Sequence, residues 1–145
     1  MFQFPRKLEK FYTHTPHIAE FWNTISNLPF IIIGLLRLYE GTNLVTFYSL
    51  YTLAGVCSGI HHASPYHWTI IIDWMPITLS ILMTLKCGII YYLTLVDIFK
   101  LFIAFSALIS DHVWTPVPVP WGHVYWHLLA SFAIDDVYQT VENSL

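Results

Sequence analysis

The chain has 145 residues, of which 56% are hydrophobic and only 10% charged, and its formal net charge is -3. So little charge with a positive mean hydropathy excludes an ordinary soluble domain. The absence of any basic block or acidic tail excludes a nucleic-acid partner. A membrane is the environment that fits.

Residues 1–20 carry Arg6, Lys7, Glu9 and Lys10 but no short apolar stretch followed by a small-residue cleavage site, so they read as an interfacial segment rather than a signal peptide. A bilayer-crossing helix needs about 20 mainly apolar residues. About five such runs follow, at 21–39, 43–62, 68–85, 87–109 and 121–137. The expected fold is all-α, one domain over 1–145 built as a polytopic transmembrane helical bundle of about five spans.

Span one contains Pro29, which kinks rather than ends a membrane helix, and Gly41-Thr42-Asn43 is the turn that follows it. Span two ends at His61-His62, where Pro65 disfavours helix in the residue before it. Span four is the least regular, with Asp97 and Lys100 spaced to pair on one face. Residues 111–121, DHVWTPVPVPW, carry prolines at 116, 118 and 120 and predict an extended connection. Cys57 and Cys87 fall near opposite ends of successive spans, too far apart for a disulfide.

This order of spans has a topological consequence. The end of span two, the start of span three and the start of span five share one end of the bundle with the N-terminus. His62, Asp73, His123 and Glu20 therefore gather there.

Ser58 and His62 are four residues apart, as are His123 and His127 in WGHVYWHLLA, so each pair projects from one helix face a turn apart. Three imidazoles with one open position are the ligand pattern of catalytic zinc, whereas structural zinc is usually closed by four protein ligands. His62, His123 and His127 fit that pattern. Asp73 is placed to accept a proton as general base, and Ser58 to hydrogen-bond a substrate carbonyl or its oxyanion.

The bland alternatives are ordinary. Histidines at helix ends are often hydrogen-bonded or snorkelling residues, and a lone His-x-x-x-His pair is a weak metal signal. Asp73 shifts the weight, because a carboxylate inside a membrane is costly and normally functional or paired. His61 is rotated off the Ser58 face and reads as a supporting or interfacial residue. His67 and His112 read as solvated loop residues, His14 and His17 as still further from the chemistry. Trp22, Trp68, Trp114, Trp121 and Trp126 fall near span ends, where an aromatic belt is expected.

IAEFWNTISNLPF at 18–30, the Ser58-x-x-x-His62 block, Asp73 with Pro76 three further on, and the closing His123-x-x-x-His127 together resemble the alkaline ceramidases. These belong to a larger membrane hydrolase superfamily that includes the progestin and adiponectin receptors. The resemblance implies a zinc amidase that hydrolyses the N-acyl bond of ceramide-like sphingolipids to a sphingoid base and a fatty acid. It implies zinc on His62, His123 and His127, catalysis by Asp73 and Ser58, and a multi-pass location in the endoplasmic reticulum or Golgi.

It also implies a nearby calcium site. Arg6, Glu9 and Phe11 occupy the family's ligand positions ahead of the first helix, so of that set only Glu9 and Glu20 remain. The family has seven spans and this chain about five, the loss falling between Asp73 and His123. Removing two spans keeps both halves of the histidine cluster at one end of the bundle. Trp74 stands where the family usually carries an acid. A shortened, non-catalytic homologue that binds lipid or a membrane partner is the second reading. Haem ligation by histidines on two helices is the third.

Overall fold

The structure, a computed structural model, describes residues 12, 14–64, 66–113 and 121–144, except for the side chains at 67 and 110–113. The described residues are all-α, with no strand among them. The helices are α1 (Phe21–Ile25), α2 (Leu28–Glu40), α3 (Val45–Ala63), α4 (Ile70–Lys86), α5 (Leu95–Val113) and α6 (Trp121–Glu142), with 3-10 turns at His67–Thr69 and Ile89–Tyr92. The proline-rich stretch 114–120 lies outside the described residues.

The kink expected at Pro29 is a break one turn earlier. Proline has no N–H to offer the carbonyl of Ile25, so α1 stops there, and α2 restarts with Pro29 in its first turn, where no such bond is needed. At the other end of α2, Gly41 adopts φ +84, which only glycine enters freely, and the Thr42 amide reaches back to the Arg37 carbonyl at 3.3 Å. This closes the helix and turns the chain into α3.

The fourth predicted span, 87–109, starts late. Gly88 takes φ +67, a 3-10 turn follows, and α5 begins only at Leu95. Thr94 and Asp97 form a reciprocal cap there: the Thr94 amide donates to Asp97 Oδ2 at 2.9 Å and the Asp97 amide to Thr94 Oγ1 at 3.2 Å. Asp97 is thereby used at the helix start instead of pairing with Lys100, whose Nζ lies 2.6 Å from Asp136 Oδ2 on α6. Cys57 and Cys87 are both free.

α3 packs against α2 and α4, α6 against α5 and α2, and α1 sits across α3 and α6. Tyr48, Tyr51 and Tyr138 meet edge-on at the α3–α6 seam, and the Tyr51 hydroxyl donates to the Ser131 carbonyl at 2.6 Å. Beside this apolar core the chain buries polar side chains and exposes many large apolar ones. Glu20, Asn23 and Ser131 are fully buried, while Leu35, Leu82 and Phe102 are more than half exposed. One helical segment, Phe21–Glu40, is long and apolar enough to cross a bilayer among the described residues.

Candidate metal centre

Two backbone hydrogen bonds set the site's frame: the Ala19 amide donates to the Ala63 carbonyl at 3.0 Å and the Glu20 amide to the His62 carbonyl at 2.9 Å. They fasten the segment ahead of α1 to the last turn of α3. His123 and His127 enter from the first two turns of α6, and Asp73 from the first turn of α4. All four elements meet at one end of the bundle.

There the side chains of His62, His123 and His127 converge, each offering a ring nitrogen, with those atoms within 4.8 Å of one another. His62 and His123 face each other through their Nε2 atoms at 3.2 Å. The ring centroids of His123 and His127 are 4.5 Å apart, consistent with their one-turn spacing. Each outer nitrogen of the two buried histidines has a protein partner. Nδ1 of His62 lies 2.7 Å from Glu20 Oε2, and Nδ1 of His127 lies 2.7 Å from Ser26 Oγ and 3.3 Å from Asn27 Nδ2.

Three imidazoles suit a divalent transition metal, and metal-binding histidines almost always anchor their second nitrogen on a carboxylate, carbonyl or other polar group. The residues therefore fit such an ion and could hold one. His61 stands apart from them: its Nδ1 lies 2.8 Å from Thr69 Oγ1, which itself donates to the Tyr66 carbonyl. The threonine lone pair thus accepts from His61 and keeps that ring turned away.

Ser58 is buried one turn before His62 on α3. Ser58, Asp73, His123 and His127 all line one cavity of ≈ 480 Å³. Away from the histidines it is walled by apolar side chains such as Ile77, Ile81, Phe105 and Trp126. It runs between α4 and α5, which pack on α3 and α6 respectively and not tightly on each other. A polar end with two of the candidate ligands, a carboxylate and a hydroxyl thus opens into an apolar chamber.

Of the two positions carried for calcium, Glu9 lies outside the described residues, and Glu20 is fully buried with its carboxylate on His62. His67 and His112 have no described side chain. His14 accepts a hydrogen bond from Trp22 Nε1 at 2.9 Å on the exposed surface, away from the cluster. Ser26 and Asn27 were not among the residues the sequence singled out, although they lie in the ISN of the 18–30 block.

A family model described as Ceramidase matches residues 9–115, and the chain belongs to the ceramidase family. Members of that family are membrane-associated, metal-dependent hydrolases that act on the amide of ceramide. No curated protein and no solved structure matches the chain. The match ends ahead of His123 and His127, so their part in the site rests on the geometry above.

Proposed function

We propose that this chain is a zinc-dependent, multi-pass membrane amidase that hydrolyses the N-acyl bond of ceramide-like sphingolipids to a sphingoid base and a fatty acid. The observation that carries this reading is the convergence of His62, His123 and His127, the last two of which line an apolar cavity together with Ser58 and Asp73. His62 and His123, whose Nε2 atoms lie 3.2 Å apart, would hold the ion together with His127.

When bound, the metal supplies Lewis acidity that polarises a carbonyl and acidifies water. The chain's own groups supply the rest. Asp73 takes the proton from the attacking water and passes it to the leaving nitrogen as the C–N bond breaks. The Ser58 hydroxyl donates to the substrate carbonyl oxygen as charge develops there. The apolar walls receive a lipid chain and keep bulk water from the reacting carbon.

Placement across the membrane is supported by the exterior, where exposed leucine, isoleucine and phenylalanine surround buried polar side chains such as Glu20 and Asn23, which suits lipid rather than water. The test is metal analysis of the purified protein coupled to hydrolysis of an N-acyl sphingosine. Stoichiometric zinc with amide cleavage that a chelator abolishes is the expected result. Bound zinc with no cleavage of any N-acyl lipid would instead favour a lipid-binding homologue without catalysis.

A further inference from the structure

We infer that Glu20 and Ser26 are the positioning residues of the histidine cluster, each gripping the outer nitrogen of one histidine and so fixing the aim of the inner one. This rests on the cluster being a metal site. It does not depend on the reaction performed there.

The hydrogen-bond roles follow from the partners. The 2.7 Å contact between Glu20 Oε2 and His62 Nδ1 ties the outer nitrogen of that ring to a carboxylate. Nε2 of the same ring is thereby aimed at His123 Nε2, 3.2 Å away. Ser26 reaches the same result by a longer route. Its hydroxyl lies 3.0 Å from the Asn23 carbonyl and donates to it, so Ser26 Oγ accepts from His127 Nδ1 at 2.7 Å. The Asn27 side-chain amide also donates to the Asn23 carbonyl, at 2.8 Å, so its 3.3 Å approach to His127 Nδ1 is a packing contact between two donors that braces the same corner. Two histidines on different helices are thus gripped at their outer nitrogens by two different residues.

The backbone is shaped for both contacts. Glu20 is delivered by the hydrogen bonds that join its segment to the end of α3. Ser26 is delivered by the break between α1 and α2, where a continuous helix would direct the chain differently. A fully buried glutamate is expensive to desolvate, and a structural requirement alone would be met more cheaply by an apolar side chain. Outer partners of metal-ligating histidines raise ligand basicity and pin ring orientation, and their loss typically lowers metal affinity about 10- to 100-fold.

The experiment uses the full chain in detergent micelles, with Glu20→Gln, Ser26→Ala and Ser26→Thr beside the wild type. Zinc affinity is measured against a chromophoric chelator in calcium-free buffer, the visible spectrum is recorded with cobalt(II), and thermal unfolding is followed without metal. Glu20→Gln and Ser26→Ala should each weaken zinc about 10- to 100-fold and alter the cobalt spectrum, with the metal-free midpoint falling no further than the lost hydrogen bonds explain. Ser26→Thr, which keeps the hydroxyl, should restore affinity.

Unchanged zinc affinity in both variants would overturn the inference, as would a loss of affinity matched by a fall in the metal-free midpoint. It would also fail if calcium tightened zinc in the wild type and Glu20→Gln removed only that response, since Glu20 would then be a cation ligand in its own right. A wild type that takes up zinc yet cleaves no amide would sink the amidase reading and leave this one standing.

Discussion

The two ends of the bundle each bury a polar cluster on α6, and they are built on opposite principles. Near its C-terminus, Asp135 accepts from Arg37 Nε at 3.1 Å and Nη2 at 3.0 Å, from Tyr48 at 2.8 Å and from Gln139 at 2.7 Å. Anion and cation lie side by side, and the carboxylate's acceptor sites are filled by α2, α3 and α6 itself. At the N-terminal end of α6 the histidine cluster is arranged differently. Its outer nitrogens are anchored, and its inner ones converge on a shared point. A buried cluster that satisfies itself clamps helices, whereas one whose donors converge can accept a cation from outside.

The sharpest way to break this comparison is at the reacting end. Replacing Asp73 by Asn should lower N-acyl sphingosine hydrolysis by about 10²- to 10⁴-fold, the usual weight of a general acid–base group, with zinc content and thermal midpoint retained. Loss of zinc in that variant would mean that Asp73 belongs to the metal site rather than to proton transfer.

At the clamp the opposite signature is expected. Asp135→Asn leaves Arg37 facing a neutral amide, and breaking a buried pair from one side costs about 3–5 kcal/mol. The low end applies here, because the Arg37 side chain is 30% exposed. Denaturant unfolding should show that loss while zinc affinity stays within error. A variant that unfolds normally but releases zinc would show the two ends to be coupled through α6.

Two glycines sharpen the contrast at smaller cost. A Cβ on Gly55 would sit 2.6 Å from Phe30 Cβ and 3.2 Å from the Asn27 carbonyl, and one on Gly34 would run into Thr52 Oγ1. Overpacking of this kind costs about 1–3 kcal/mol. Gly55→Ala should push the start of α2 away from α3, moving Ser26 and Asn27 off His127, and so weaken zinc as well as stability. Gly34→Ala, two turns further along α2, should reduce stability alone. Equal zinc affinities in the two variants would argue against α2 as the carrier of that effect.

What the sequence reveals and what it hides divides along similar lines. The helical segments and the pairing of Ser58 with His62 and of His123 with His127 are local patterns, written in apolar runs and four-residue spacing. The gathering of Glu20, His62, Asp73 and His123 at one end follows from the order of the helices. The anchoring of His127 by Ser26 is not readable in this way. It depends on where the helix breaks ahead of Pro29, and on a register between residues 101 positions apart. The Arg37–Asp135 pair spans 98 positions with no local signature at all. The start of α5 is a different case: spacing alone allows Asp97 to pair with Lys100, but Thr94-x-x-Asp97 is also a capping pattern, and the cap takes the carboxylate.

The smallest effect separates the two adjacent histidines of α3. Both are buried, with His61 at 7% and His62 at 4% exposure, so burial does not distinguish them. Their partners do: His61 donates to Thr69, the last residue of the 3-10 turn that leads into α4, while His62 meets Glu20 and His123. His61→Leu removes one neutral hydrogen bond and leaves Thr69 still donating to Tyr66. The expected loss is about 1 kcal/mol, read as a slightly lower unfolding midpoint with zinc content and turnover kept. Should His61→Leu instead strip the metal, the cluster would need a fourth imidazole, and the open position on which the amidase reading depends would be gone.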